Sequence, residues 1–274
     1  MRIRHLFSQD NHTIRLLQIT DTHLFADPHG SLLGVNTVAS YKAVIGEIRD
    51  QYIVFDAIIA TGDLSQDHSA ESYQHFADGI SGWIQPCYWL PGNHDCQLEM
   101  LAVLNQSTLV RCEQVLLGEH WQMIILDSQV KGVPHGYVSN KQLMLLEQTL
   151  ISQPKRHALV LLHHHPLSVG SAWLDQHQLH NQGVFWLCIE RHNNIKGIVC
   201  GHIHQALDIQ YAGLRVMAAP STCIQFLPDS DDFALDSTNP GWREISLHQD
   251  GTIISKIGRI KGSGFHPDMN SSGY

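Results

Sequence analysis

Five short polar blocks, each closing an apolar run, constrain this chain more than any other feature of its sequence. They are Asp21-Thr22-His23, Gly62-Asp63, Gly92-Asn93-His94-Asp95, His163-His164-His165-Pro166 and Gly201-His202-Ile203-His204. The runs before them (14–20, 56–60, 87–90, 158–162 and 197–200, with a further run at 122–127) read as buried strands. Between them, 37–50, 69–80 and 140–152 read as helices, with Thr37 placed as an N-cap. Strand followed by helix, repeated, predicts an α/β domain with a largely parallel core sheet. In such sheets ligands bind beyond the carboxyl ends of the strands, and all five blocks fall there. The strands then fix positions and the loops carry the chemistry.

The blocks supply carboxylates, one amide and imidazoles. Asp21 and His23 lie two apart past a strand, so both can face one metal ion. Asp63 follows a glycine that permits a sharp turn, and a carboxylate has two oxygens with which to bridge two ions. Asn93 offers a neutral oxygen to a hard cation. His94 is then free to act as an acid, with Asp95 expected to orient it or raise its pKa. His202 and His204 flank an apolar residue and can grip different ions. Of three adjacent imidazoles, His163, first after its strand, is favoured as a ligand, with His164 and His165 lining the site. Twenty His in 274 residues favour metal chemistry, although most must be bystanders.

The formal charge of −9 argues against a broad surface for nucleic-acid backbones. It does not exclude a small anionic substrate, because bound dications would dominate the local field. Cys87, Cys96, Cys112, Cys188, Cys200 and Cys223 form no C-x-x-C pair and read as reduced thiols. Residues 1–13 lack the apolar core of a signal peptide, and no run approaches a membrane span. A cytoplasmic, membrane-free protein is therefore expected. Beyond Cys200 the chain turns strand-rich, with tight turns at Ala212-Gly213 and Asp250-Gly251. One domain, 1–262, with a flexible polar tail, 263–274, is the simplest division.

The series D-x-H, G-D, G-N-H-D, H and G-H-x-H resembles that of the calcineurin-like metallophosphoesterase superfamily. Further stretches (32–37, Gly170-Ser171-Ala172-Trp173, 220–226 and Asn239-Pro240-Gly241-Trp242-Arg243) are similar to the bacterial class III 3′,5′-cyclic-AMP phosphodiesterases. That resemblance implies a β-sandwich of two mixed sheets flanked by helices. It implies two divalent ions, one on Asp21, His23, Asp63 and His204, the other on Asp63, Asn93, His163 and His202. Many relatives read His-His-Pro-Pro where this chain has His163-His164-His165-Pro166, so His163 and His164 both stay open as the ligand. The mixed O and N donors suit Fe²⁺, Mn²⁺, Zn²⁺ or Co²⁺ better than Mg²⁺.

The implied reaction is hydrolysis of cyclic AMP to 5′-AMP by a metal-bridging hydroxide. His94 would serve as general acid, and His23, Asn93, His94 and His204 would contact the substrate. Phe25, Trp173, Phe226 and Trp242 are aromatic candidates to hold the base, and Asn36, Thr37, His165 and Arg243 polar ones. Competing readings are a phosphodiesterase or phosphomonoesterase of broad specificity, a nuclease disfavoured by the charge, and a non-catalytic scaffold that has kept every ligand.

Overall fold

The computed structural model describes residues 3–7, 12–262 and 264–273. The chain opens with β1 (Ile3–Leu6) and β2 (Thr13–Ile19), then a short ribbon of β3 (Ser31–Leu32) and β4 (Val35–Asn36). It continues through α1 (Thr37–Asp50), β5 (Ala57–Ala60), α2 (Ala70–Ile80), β6 (Cys87–Trp89), α3 (Gln97–Val103) and β7 (Leu109–Val110). A second series follows: β8 (Gln114–Leu117), β9 (Trp121–Ile125), α4 (Asn140–Ser152), β10 (His157–Leu161), α5 (Ala172–Asp175), α6 (Gln182–Ile189) and β11 (Ile195–Cys200). The last strands are β12 (Asp208–Tyr211), β13 (Leu214–Ala218), β14 (Gln225–Phe226), β15 (Leu235–Asp236), β16 (Gly241–His248) and β17 (Ile253–Arg259).

Apart from the two-stranded ribbons β3-β4 and β14-β15, these strands form two mixed sheets, where the strand-helix alternation alone suggested one core sheet. The six-stranded sheet runs β17-β16-β2-β5-β6-β7, and the seven-stranded sheet runs β1-β8-β9-β10-β11-β13-β12. Parallel pairing dominates both centres, and antiparallel partners β16, β17 and β12 sit toward the edges. Residues 114–218, with β1 added at one edge, thus build the second sheet, and β16 and β17 return to the first.

Four layers result, because the central strands are apolar on both faces. Leu17, Ile19, Ile58 and Ala60 face outward to α1 and α2, packing with Tyr41, Val44, Tyr73 and Phe76. Ala158, Val160 and Leu162 face outward on the other side, against Leu146, Leu150 and Phe185 of α4 and α6. The alternate residues Leu16, Ile59, Leu159, Leu161 and Val199 meet between the sheets. Each such aliphatic side chain contributes about 1.5–3 kcal/mol by leaving water. Gln18 and Arg243 are polar exceptions in that layer: Gln18 Nε2 donates to Thr61 Oγ1 (2.9 Å) and, across the sheets, to Cys200 O (2.8 Å), and Arg243 Nε donates to Ala218 O (3.2 Å).

The N-cap of α1 is Asn36, not Thr37: its side chain accepts from Ala39 N–H (2.7 Å). Ser69 and Ser139 cap α2 and α4 in the same way. Hairpin turns at Ala212-Gly213 and Asp250-Gly251 join β12 to β13 and β16 to β17. In the C-terminal segment Phe265 packs against both outer cores, Pro267 is buried, and Asp268 N–H donates to Leu33 O (2.8 Å). All six cysteines are free. Among the described residues no helix is long and apolar enough to cross a membrane.

Candidate metal centre

The five blocks converge at the carboxyl ends of both sheets. Asp21, Asp63 and Asn93 follow β2, β5 and β6 of the six-stranded sheet, and His163 and His202 follow β10 and β11 of the seven-stranded one. The loops after β2 and β5 remain zipped together: Asp21, His23 and Leu24 N–H donate to Gly62, Asp63 and Leu64 O, each at 3.0 Å. Thr20 Oγ1 (2.6 Å) and the His202 N–H (3.1 Å) both donate to the Asp21 carboxylate, tying one sheet's loop to the other's.

Asp21, His23, Asp63, His202 and His204 all have left-handed backbones, with φ between 45° and 71°. Asp and His visit this region more readily than bulkier residues, yet it is uncommon and persists only where the surroundings over-determine it. Here the zipped loops and the buried donors do so.

The donor atoms lie close together. His163 Nε2 is 3.1 Å from both Asp63 Oδ2 and Asn93 Oδ1. His23 Nε2 lies 4.0 Å from Asp63 Oδ2 and 3.1 Å from His204 Nε2, which is 3.6 Å from Asp21 Oδ1. The opposite ring nitrogens are anchored: His163 Nδ1 on Thr61 O (2.7 Å), His204 Nδ1 on Ile224 O (3.0 Å) and His23 Nδ1 on Gln66 Oε1 (2.6 Å). Carbonyls can only accept, so Nδ1 of His163 and His204 carries hydrogen and Nε2 is turned to the cluster, the orientation a ligating imidazole needs. His202 Nε2 is buried without a hydrogen-bond partner among the described residues.

Electrostatics point the same way. Burial, reinforced by nearby cationic or potentially cationic rings, holds His164, His202 and His204 well below the ordinary imidazole range and His23 down to about 4. These rings are neutral, with lone pairs to give. Burial pushes Asp21 up to about 7, where Asp63 repels it. Burial also opposes charge on Asp63, but the His163, His94 and His23 rings around it win and hold it well below the usual carboxylate range. His163 responds in kind: burial lowers it, and Asp63 at contact distance outweighs that, raising it to about 9. Asp21, His23 and His204 form one group of donors mutually within 4.8 Å, Asp21, Asp63 and His163 another, and His163, His164 and His202 a third. Buried carboxylates, an amide oxygen and imidazoles whose Nε2 faces the cluster fit divalent cations at this spacing.

His94 stands half-buried at the rim, its ring edge-on to His23 at 5.1 Å and its N–H on Asp63 Oδ1 (2.8 Å). Asp95 does not orient it. The Asp95 carboxylate turns inward and accepts from Leu64 N–H, Ser65 N–H, Tyr73 Oη and Gly92 N–H at 2.9–3.2 Å. It is a clamp between the Asp63 and Asn93 loops, because four donors there outcompete one half-buried imidazole.

The sequence profile of the calcineurin-like phosphoesterase family matches residues 14–206, a span that takes in all five blocks. The chain belongs to that family. Among similar calcineurin-like phosphoesterases is the 3′,5′-cyclic adenosine monophosphate phosphodiesterase CpdA of Vibrio vulnificus, 55% identical over 262 residues, 96% of each chain. The CpdA of Escherichia coli is 51% identical over 95% of each chain. A dimetal phosphatase from Danio rerio shares the fold, with a TM-score of 0.63 at 12% identity over 90% of this chain and 99% of that one.

Beside the metal centre of this calcineurin-like phosphoesterase lies a cavity of about 240 Å³. Of the aromatic residues anticipated around a base, Trp173 and Phe226 line it; Trp242 is buried in the outer core of the six-stranded sheet, and Phe25 packs against the other core. Arg243 is buried and committed to Ala218 O, Leu207 O, Ser255 Oγ and Asp208. Asn36 is spent on its helix cap, and His165 is buried 3.4 Å from Asp175. Sequence reasoning missed Gln66, the anchor of His23, and the wall residues Phe233 and His177. Gln66 sits three residues after Asp63, and its place in a motif loop was the only signal.

The glycines of the motifs allow this density. A Cβ on Gly92 would lie 2.1 Å from Asp63 Oδ1 and 2.5 Å from Asp63 N. Gly92→Ala is therefore expected to cost about 1–3 kcal/mol through overpacking, read as a lower denaturant midpoint at unchanged slope.

Proposed function

We propose that this protein hydrolyses the 3′,5′-cyclic phosphodiester of cyclic AMP to 5′-AMP. The carrying observation is the buried cluster with Asp63 at its centre, in a chain 55% identical to a relative named for that activity. Asp21, His23, Asp63 and His204 would hold one divalent cation, and Asp63, Asn93, His163 and His202 the other. His163 is preferred to His164 because its Nε2 faces Asp63 and Asn93, whereas His164 Nδ1 bonds to Ser128 Oγ (2.8 Å). Bound, the two cations would neutralise phosphoryl charge and activate water at neutral pH. Imidazole-rich donors favour Fe²⁺, Mn²⁺, Zn²⁺ or Co²⁺.

The chain's own contribution is positioning and proton transfer. Carbonyls and Gln66 fix the imidazole orientations, and Asp95 fixes the two loops. His94, at the rim, donates a proton to the departing ribose O3′.

Metal uptake should release protons. In the metal-free cluster His163 holds one at pH 7.5, since its pKa is raised to about 9. A cation replaces that proton, so affinity rises as pH rises toward 9 and falls below it. Calorimetric titration in buffers of differing ionisation enthalpy should report release of about one proton per uptake event.

The test of function compares metal-reconstituted protein on cyclic AMP, cyclic GMP, 2′,3′-cyclic AMP and bis(p-nitrophenyl) phosphate. A clear kcat/KM advantage for 3′,5′-cyclic AMP with 5′-AMP as product is expected. Similar low rates on all diesters would replace the proposal with a broad phosphodiesterase, and no hydrolysis by a metal-loaded protein would leave a scaffold.

A further inference from the structure

The cavity beside the metal cluster has two unlike walls. Asn93, His94 and His202 form a polar wall continuous with the metal donors, while Trp173, Leu174, Phe226 and Phe233 form an apolar one. His177 stands among the latter, with Pro134 and Gly273 at the edge.

The apolar wall is built in fixed register with the metal site. Phe226 stacks on the His204 ring at 4.3 Å and 18°, so it begins where the cluster ends. Trp173 meets Phe226 at 4.8 Å and 85° and Phe233 at 5.0 Å and 68°, both edge-on. The Trp173 backbone N–H donates to Asp231 O (3.1 Å), pinning the loop that carries Phe233. The Trp173 helix is itself braced to the His163–Pro166 loop. Asp175 accepts from Ser168 Oγ (2.6 Å) and Val169 N–H (2.9 Å) and lies 3.4 Å from His165 Nε2.

Two details single out a planar polar heterocycle as occupant. The Trp173 indole Nε1–H is buried with no acceptor among the described residues, a donor that calls for an explanation. His177 is half-buried and held below its ordinary pKa, mainly by burial and then by His165, His135 and His180. A neutral imidazole can both donate and accept. A half-buried indole gives a base a face or edge to rest on without reading its sequence position, and stacking of this kind is worth a useful share of nucleotide affinity.

We infer that the purine of a nucleotide substrate lies in this cleft against Trp173, with the His177 imidazole facing its polar edge. The inference deepens the cyclic-nucleotide reading and rests on it, but its test does not require turnover. Calorimetric Kd values for 5′-AMP and ribose 5-phosphate, each titrated into metal-loaded protein, isolate the contribution of the base. The wild type should prefer 5′-AMP by roughly 5- to 150-fold. Trp173→Ala should bring that ratio close to unity and Trp173→Phe should retain much of it. His177→Ala should reduce it, with ribose 5-phosphate affinity and metal content unchanged in each variant. A wild-type ratio near one, or a ratio unmoved by both alanine variants, would overturn the inference. Absence of cyclic AMP hydrolysis would instead count against the proposed function alone.

Discussion

Asp63→Ala is expected to remove metal and activity together. Asp63 is buried and sits between the two donor sets: His163 is 3.1 Å from its Oδ2, His23 is 4.0 Å from the same oxygen, and His94 N–H bonds to Oδ1. No neighbouring carboxylate can replace it, because Asp21 is engaged with Thr20 and His202. Elemental analysis after gel filtration should find the paired metal load lost, and kcat/KM should fall on the order of 10³-fold or more. Retention of full activity would end the two-metal reading.

His94→Ala should separate chemistry from metal binding. The ring stands at the rim, half-buried, edge-on to His23 and lining the cavity beside the donor cluster. A general acid at that place is worth roughly 10²–10⁴-fold in kcat. The loss should be large for cyclic AMP, whose leaving alkoxide needs a proton. It should be small for bis(p-nitrophenyl) phosphate, whose leaving phenolate does not. Metal content should equal that of the wild type; a variant stripped of metal would show that His94 is a ligand rather than an acid.

The fold and the site were legible to different depths. Strand-loop boundaries at Asp21, Asp63 and Asn93 could be read because apolar runs there end on residues that cannot continue a buried strand. The division into two sheets could not. Leu159 and Leu17 look alike in sequence, and which neighbour a doubly buried strand pairs with is decided by the whole chain. Short or edge elements were missed for a related reason: β1 carries mostly exposed residues, and α6 is apolar nearly all round, so neither shows a clear period. His163 and His164 are chemically identical neighbours, told apart by partners distant in sequence: Thr61 O, Asp63 and Asn93 for one, Ser128 for the other. Asp95 was assigned by its adjacency to His94, whereas a buried carboxylate goes where the most N–H donors converge.

The donors come from loops of both sheets, so a cation held there is also a rivet. Without it, the two halves of the sandwich are joined at this end by hydrogen bonds of Gln18, Asp21, His163 and Arg243 and by the apolar layer between them. With it, opening one sheet means breaking coordination to the other. Amide hydrogens of β2, β5, β10 and β11 should then exchange more slowly in the loaded protein than after a chelator has emptied it.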